Sequence, residues 1–206
     1  FSWEETDCDF EEPSEVAATC GWLEVPERWD DPGDEDTIRL HVGVFSMGPT
    51  EREPVVYLEG GPGGDALANI GQAFGVLFGQ LVADRDLVVI GQRGTGSSEP
   101  HLQCENVLEL DLELLDDTSG IERQLELAQA AYATCADRFR ADGIDLSAFN
   151  SVQNAHDVEA LRMALGFKEW NVLGISYGTR LAQTLMRLHP EGIRTVVLDS
   201  VLTTER

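Results

Sequence analysis

Residues 170–180 read WNVLGISYGTR. Trp170 to Ile175 is an apolar run of the length and composition of a buried strand, while YGTRLAQTLMRLH from Tyr177 has a helical pattern that Pro190 ends. Between them, Gly174-Ile175-Ser176-Tyr177-Gly178 matches G-x-S-x-G, a pattern that carries chemistry when it joins a strand to a helix. A sharp turn there strains the serine backbone. Glycines on either side remove the β-carbons that would strike the neighbouring strand and helix. Ser176 is thus expected to hold its hydroxyl above the carboxyl edge of a sheet, at the positive end of the helix that follows. An ordinary glycine-rich turn could carry the same letters; the flanking strand and helix favour a nucleophile.

Working outward, RTVVLDS (194–200) reads as the next strand, and Ala155, Val158, Leu161 and Leu165 recur at helical spacing from Ser151 until Gly166. Residues 106–140, rich in Leu, Glu and Ala, fit one or two helices. LVVIG (87–91) and PVVYLE (54–59) are short strands apolar on both faces, with a helix expected between them, and TIRLHVGVF (37–45) alternates as a half-buried strand does. The order β-α-β-α-β-α-β predicts an α/β fold with a doubly wound, mostly parallel sheet over residues 37–206. Residues 1–36 hold fourteen acids and one base, Arg28, with Trp3, Phe10, Trp22 and Trp29 as aromatic anchors. They are expected to form an irregular, disulfide-stapled segment lying along the main domain.

The formal charge of −24 excludes nucleic acid and anionic membranes as partners. No run approaches the roughly 18 apolar residues of a membrane helix, and the chain opens without Met or a basic-then-apolar leader, so a mature soluble protein is expected. Lys168 is the one lysine beside 13 arginines, and a Lys-poor acidic surface suits a salty medium. Cys8, Cys20, Cys104 and Cys135 form no C-x-x-C pair and have no histidine at ligand spacing, so neither zinc nor another metal is expected. An even cysteine count suits an oxidising compartment, with local bridges Cys8–Cys20 and Cys104–Cys135; four cysteines permit three pairings, and four reduced buried thiols are the alternative.

A nucleophilic serine needs donors for the oxyanion. The backbone N–H of Tyr177 comes with the turn, and EGGPGG (59–64), after the strand at 54–59, can supply a second. Gly60 and Gly61 permit close approach, Pro62 stiffens the loop without an N–H of its own, and the second donor is assigned to Gly61. Residues 61–66 also fit the G-x-G-x-x-A dinucleotide pattern. The next strand ends in Gly91, Gln92 and Arg93 with no acid for a ribose, so no nucleotide and no other cofactor is expected.

Taken together, GGPGG, GQRGTGSSEP and GISYGTRLA, with AHDVEALRMALG before the serine and VVLDSV after it, resemble the α/β-hydrolases of the prolyl iminopeptidase and secreted tripeptidyl aminopeptidase group. The resemblance spans roughly residues 20–203. It implies that Ser176 is the nucleophile, that the glycine-proline loop gives an oxyanion donor, that Arg93 supports the site from beneath, and that the substrates are peptide N-termini. The secreted or periplasmic location expected from the cysteines fits the tripeptidyl branch of that group better than the cytoplasmic one. Two positions depart from the family: Glu59 stands where prolyl iminopeptidases have His, and Gly91 where the family usually has Asp, which puts a contact of that loop in doubt.

The triad order in this fold is Ser, acid, His, and thirty residues follow Ser176. They contain His189, expected at the far end of the helix, and Asp199, one strand earlier than the family's acid. Neither is assigned to the triad, and His41, His101 and His156 read as surface or structural residues. The expectation is therefore an α/β-hydrolase sheet incomplete on its C-terminal side, with acid and base supplied by a C-terminal segment or second chain. An esterase on the same scaffold and a non-catalytic hydrolase-fold binding protein are the alternatives.

Overall fold

The computed structural model describes residues 1–8, 10, 13, 16–31 and 36–203. Six of the N-terminal acids, Asp9, Glu11, Glu12, Glu15, Asp34 and Glu35, and residues 204–206 lie outside the described residues. The chain divides into two compact units, one of residues 1–101 with 149–206 and one of residues 102–148.

The larger unit is built on a seven-stranded sheet: β1 (Ser2–Thr6), β2 (Ala17–Pro26), β3 (Thr37–Ser46), β4 (Val55–Leu58), β5 (Leu87–Ile90), β6 (Trp170–Ile175) and β7 (Ile193–Asp199). Their spatial order is β1-β2-β3-β5-β4-β6-β7. From β5 through β4 and β6 to β7 the pairs are parallel, whereas β1, β2 and β3 run antiparallel up to β5. Each inner strand is apolar on both faces because both faces are covered. Val56, Leu58, Val88, Ile90 and Val172 face one core, and Val55, Tyr57, Leu87, Val89 and Leu173 face the other.

The first core lies under α4 (Ser151–Ala164) and α5 (Tyr177–Leu188), where Val158, Leu161, Leu181 and Leu185 are fully buried. The second lies under α1 (Ala66–Ala73), whose N-cap Asp65 accepts from the Ala68 N–H, and the π-type turn Phe74–Phe78 that continues it.

Residues 1–36 differ from the expectation of an irregular segment. They add two strands to the sheet, β2 pairing with β3 along ten residues, and the Cys8–Cys20 disulfide ties the chain after β1 to β2. The physical reason is in ATCGWLEVP: Leu23 and Val25 are fully buried two residues apart while Glu24 between them is exposed, the alternation of a half-buried strand. A dense acid count masked it.

The smaller unit holds α2 (Glu105–Leu114) and α3 (Ile121–Ala141), joined by the Cys104–Cys135 disulfide. Asn106 Nδ2 donates to the Ala131 carbonyl, and Arg138 donates to the Gln103 carbonyl. Among the described residues no helix is long and apolar enough to cross a membrane.

Candidate active site

Ser176 stands between β6 and α5 with φ 53° and ψ −117°, a left-handed backbone for a residue with a side chain. The turn is held by the Ser176 N–H donating 2.9 Å to the Asp199 carbonyl, and by the Thr179 N–H and hydroxyl donating to the Ser176 carbonyl at 3.0 and 2.7 Å. Gly178 is required by packing, because a β-carbon there would run into the Leu58 carbonyl at the end of β4. The Ser176 hydroxyl itself makes no hydrogen bond among the described residues.

The loop after β4 arrives directly beside it. A β-carbon built on Gly60 would lie 3.3 Å from Ser176 Cβ and 3.8 Å from its Oγ. Glu59 folds back so that its carboxylate accepts the Gly60 N–H at 2.7 Å and the Tyr57 hydroxyl at 3.1 Å. Burial, then the neighbouring Glu59 charge, pushes the Tyr57 phenol well above its ordinary range, so it remains a donor. With Gly60 engaged, the next N–H is that of Gly61, in a φ of 111° open to glycine, and it has no partner among the described residues. Tyr177, first residue of α5, likewise has an N–H with no intrahelical acceptor. The serine turn, the start of α5 and the loop that carries Gly60 and Gly61 thus adjoin one another. A cavity of about 310 Å³ opens alongside, walled by Tyr57, Glu59, Ala66, Ile70, Phe78 and Ile175.

Beneath the site is the loop after β5. Arg93 is buried and donates to both carboxylate oxygens of Asp157 at 2.7 Å and to the Glu27 carbonyl at 2.7 Å. Trp29 Nε1 adds a third donor to Asp157 at 2.8 Å. Burial pushes the Asp157 carboxyl upward, and the Arg93 charge and hydrogen bonds pull it back. Gly91 leaves no room for the aspartate of the family pattern: a β-carbon there would meet Ser98 Oγ at 2.8 Å. Ser98 closes the loop instead, donating to the Gly91 carbonyl while accepting the His41 N–H.

The remaining candidates fall elsewhere. His189 caps the far end of α5, about 18 Å along the helix from Ser176, where its Nε2 pairs with His156 Nδ1 at 2.8 Å. Asp199 lends its backbone carbonyl to Ser176, while its carboxylate takes the Ser200 hydroxyl at 3.1 Å. Glu159, His189 and Glu191 bring three ligand-type atoms within 4.8 Å of one another, but Glu159 is already clamped by Arg162 through two hydrogen bonds. Sequence reasoning missed Ser98, Gln92, Asn154 and Ser151, polar residues that each have a partner at least 26 residues away along the chain.

Comparisons with known proteins agree with the fold. A family model described as the alpha/beta hydrolase fold matches residues 53–205. A tripeptidyl aminopeptidase of Streptomyces lividans is 31% identical over the whole of this chain, which covers 39% of it. The serine protease Hip1 of Mycobacterium tuberculosis is 29% identical over 90% of this chain and 36% of its own length. The chain therefore spans under two fifths of these curated relatives. An epoxide hydrolase from Vigna radiata superposes over 95% of the chain and 42% of its own with a TM-score of 0.52 at 16% identity, a likeness of fold.

Proposed function

The chain belongs to the α/β-hydrolase fold family, and on that premise we propose that it is the nucleophile-bearing part of a serine hydrolase that removes residues from peptide N-termini. Ser176 Oγ attacks the scissile carbonyl as a general base takes its proton, and the tetrahedral oxyanion is held by the N–H groups of Gly61 and Tyr177. The C–N bond then breaks, the amine leaves with the proton, and water hydrolyses the acyl-enzyme. Base and orienting acid are assigned to polypeptide outside these residues, since Ser176 Oγ meets no imidazole among those described. The peptidase names of the relatives support the choice of peptide over ester, and the two disulfides support an extracytoplasmic location.

The observation that carries this reading is the strained backbone of Ser176 between β6 and α5, packed against Gly60 of the loop after β4. Strain of that kind persists where surrounding structure holds it for a function. The test is turnover, by the full-length polypeptide, of a peptide amide with a free amine beside its N-acetylated analogue. Preference for the free amine, lost with Ser176→Ala, supports an aminopeptidase; equal turnover of both, or preference for a simple ester, would overturn that specificity.

A further inference from the structure

We propose that one polar stripe of α4, Ser151, Asn154 and Asp157, is a positioning element that sets the two oxyanion donors relative to each other. The proposal rests on the assignment of those donors to Gly61 and Tyr177. The three residues follow one another at three-residue spacing and so share a side of the helix. Each reaches a different part of the site.

Ser151 Oγ bonds the Tyr177 hydroxyl at 2.9 Å and so pins the side chain of the residue whose backbone N–H is the turn's donor. Asn154 Nδ2 donates to Gln92 Oε1 at 3.1 Å, and Gln92 Nε2 donates to the Glu59 carbonyl at 3.0 Å. Asp157 grips Arg93, the residue next to Gln92, through two hydrogen bonds. One rigid helix therefore holds the turn directly and the oxyanion loop through Gln92. Asn150 starts that helix firmly, its side chain accepting the N–H groups of Val152 and Gln153.

The chain of donors has one permitted direction. The Glu59 carbonyl can only accept, so Gln92 must face it with its NH₂ and turn its oxygen toward Asn154, which must then donate. Gln92 and Asn154 are both buried, so water does not substitute for either. Asn154 Oδ1 is buried without a partner among the described residues, so its amide is oriented by this single donation rather than by a full set of bonds. The Glu59 carbonyl belongs to the peptide that leads into Gly60, and the Glu59 carboxylate fixes the Gly60 N–H from the other side. The loop is thereby held on both sides just before the Gly61 N–H, which has no partner among the described residues. Donors set in place before the reaction cost no reorganisation when the oxyanion forms, which is where their catalytic effect arises.

Gln92→Glu and Asn154→Asp keep shape but replace the donating NH₂ by an oxygen that only accepts when ionised, and Ser151→Ala releases Tyr177 at a half-buried helix start that tolerates the change. Each is compared with the wild type, in the full-length polypeptide, for kcat and KM on the free-amine peptide amide and for the rate of fluorophosphonate labelling. The first two variants are expected to lose about 10–100-fold in kcat, less than the loss of an entire donor, with KM within about twofold and labelling slowed by a similar factor. The deficit of Gln92→Glu should shrink relative to the wild type as pH falls, because a protonated carboxyl regains an O–H for the Glu59 carbonyl. Ser151→Ala should lose less, and its combination with Asn154→Asp less than the product of the two. Wild-type kcat and labelling in the variants, or losses confined to KM or melting temperature, would overturn the proposal. A wild type that does not label would overturn the nucleophile assignment beneath it.

Discussion

The two ends of α5 are made of similar groups and treated in opposite ways. At its start, Ser176 stands on a strained turn beside Gly60, and its hydroxyl and the Gly61 and Tyr177 N–H groups have no partner among the described residues. At its end, His189 pairs with His156 at 2.8 Å and lies 3.8 Å from Glu191, while the helix closes through the His189 N–H to the Leu185 carbonyl. Polar groups in a folded interior are normally satisfied. The end where they are is scaffold, and the end where they are not is where the proposed chemistry is placed. The difference also shows why a histidine near the serine in sequence need not be its base: a helix of twelve residues separates them.

That contrast can be broken in graded ways. Ser176→Ala should lower turnover by about 10⁴-fold or more while leaving thermal unfolding nearly unchanged, measured side by side on the same preparations. Asp157→Ala strands the buried Arg93 charge and should cost about 3–5 kcal/mol of stability; denaturant unfolding checks it, and a loss under 1 kcal/mol would mean the pair is not what holds the loop to α4. Gly178→Ala forces a β-carbon against the end of β4 and should cost about 1–3 kcal/mol, read from the same unfolding curves together with a loss of labelling.

The quiet end gives the smallest effect. Burial, then the neighbouring His189 and Arg93 charges, holds the His156 imidazole below its ordinary 6.5. A folded-state value below the unfolded one means that neutral His156 contributes fully above about pH 6.5 and that the contribution fades as pH falls through the folded value. Melting temperature should therefore decline more steeply below pH 6.5 in the wild type than in His156→Gln. Parallel curves would show that the imidazole pair contributes nothing.

How much of this was legible in the sequence depended on how far apart the partners lie. The turn at Ser176 was readable because strand, serine, glycines and helix are contiguous in WNVLGISYGTR. The same holds for EGGPGG, a short loop between periodic elements, and for the two local disulfides. β2 was missed because Cys20, Gly21 and Trp22 precede the clean alternation of Leu23 and Val25 in a segment dominated by acids. The polar stripe of α4 was missed for a deeper reason. Ala155, Val158 and Leu161 marked the helix, but Asn154 and Asp157 are as buried as they are, and their partners Gln92 and Arg93 stand 62 and 64 residues earlier. Nothing local in a sequence signals a hydrogen bond of that reach.

The central claim is that Ser176 is a nucleophile. Its most direct test is to treat the full-length polypeptide with a fluorophosphonate and map the adduct by peptide mass. A single phosphonyl group on the peptide containing Ser176, absent after heat denaturation and absent in Ser176→Ala, is the predicted result. No adduct, or an adduct on another serine that persists in Ser176→Ala, would contradict it.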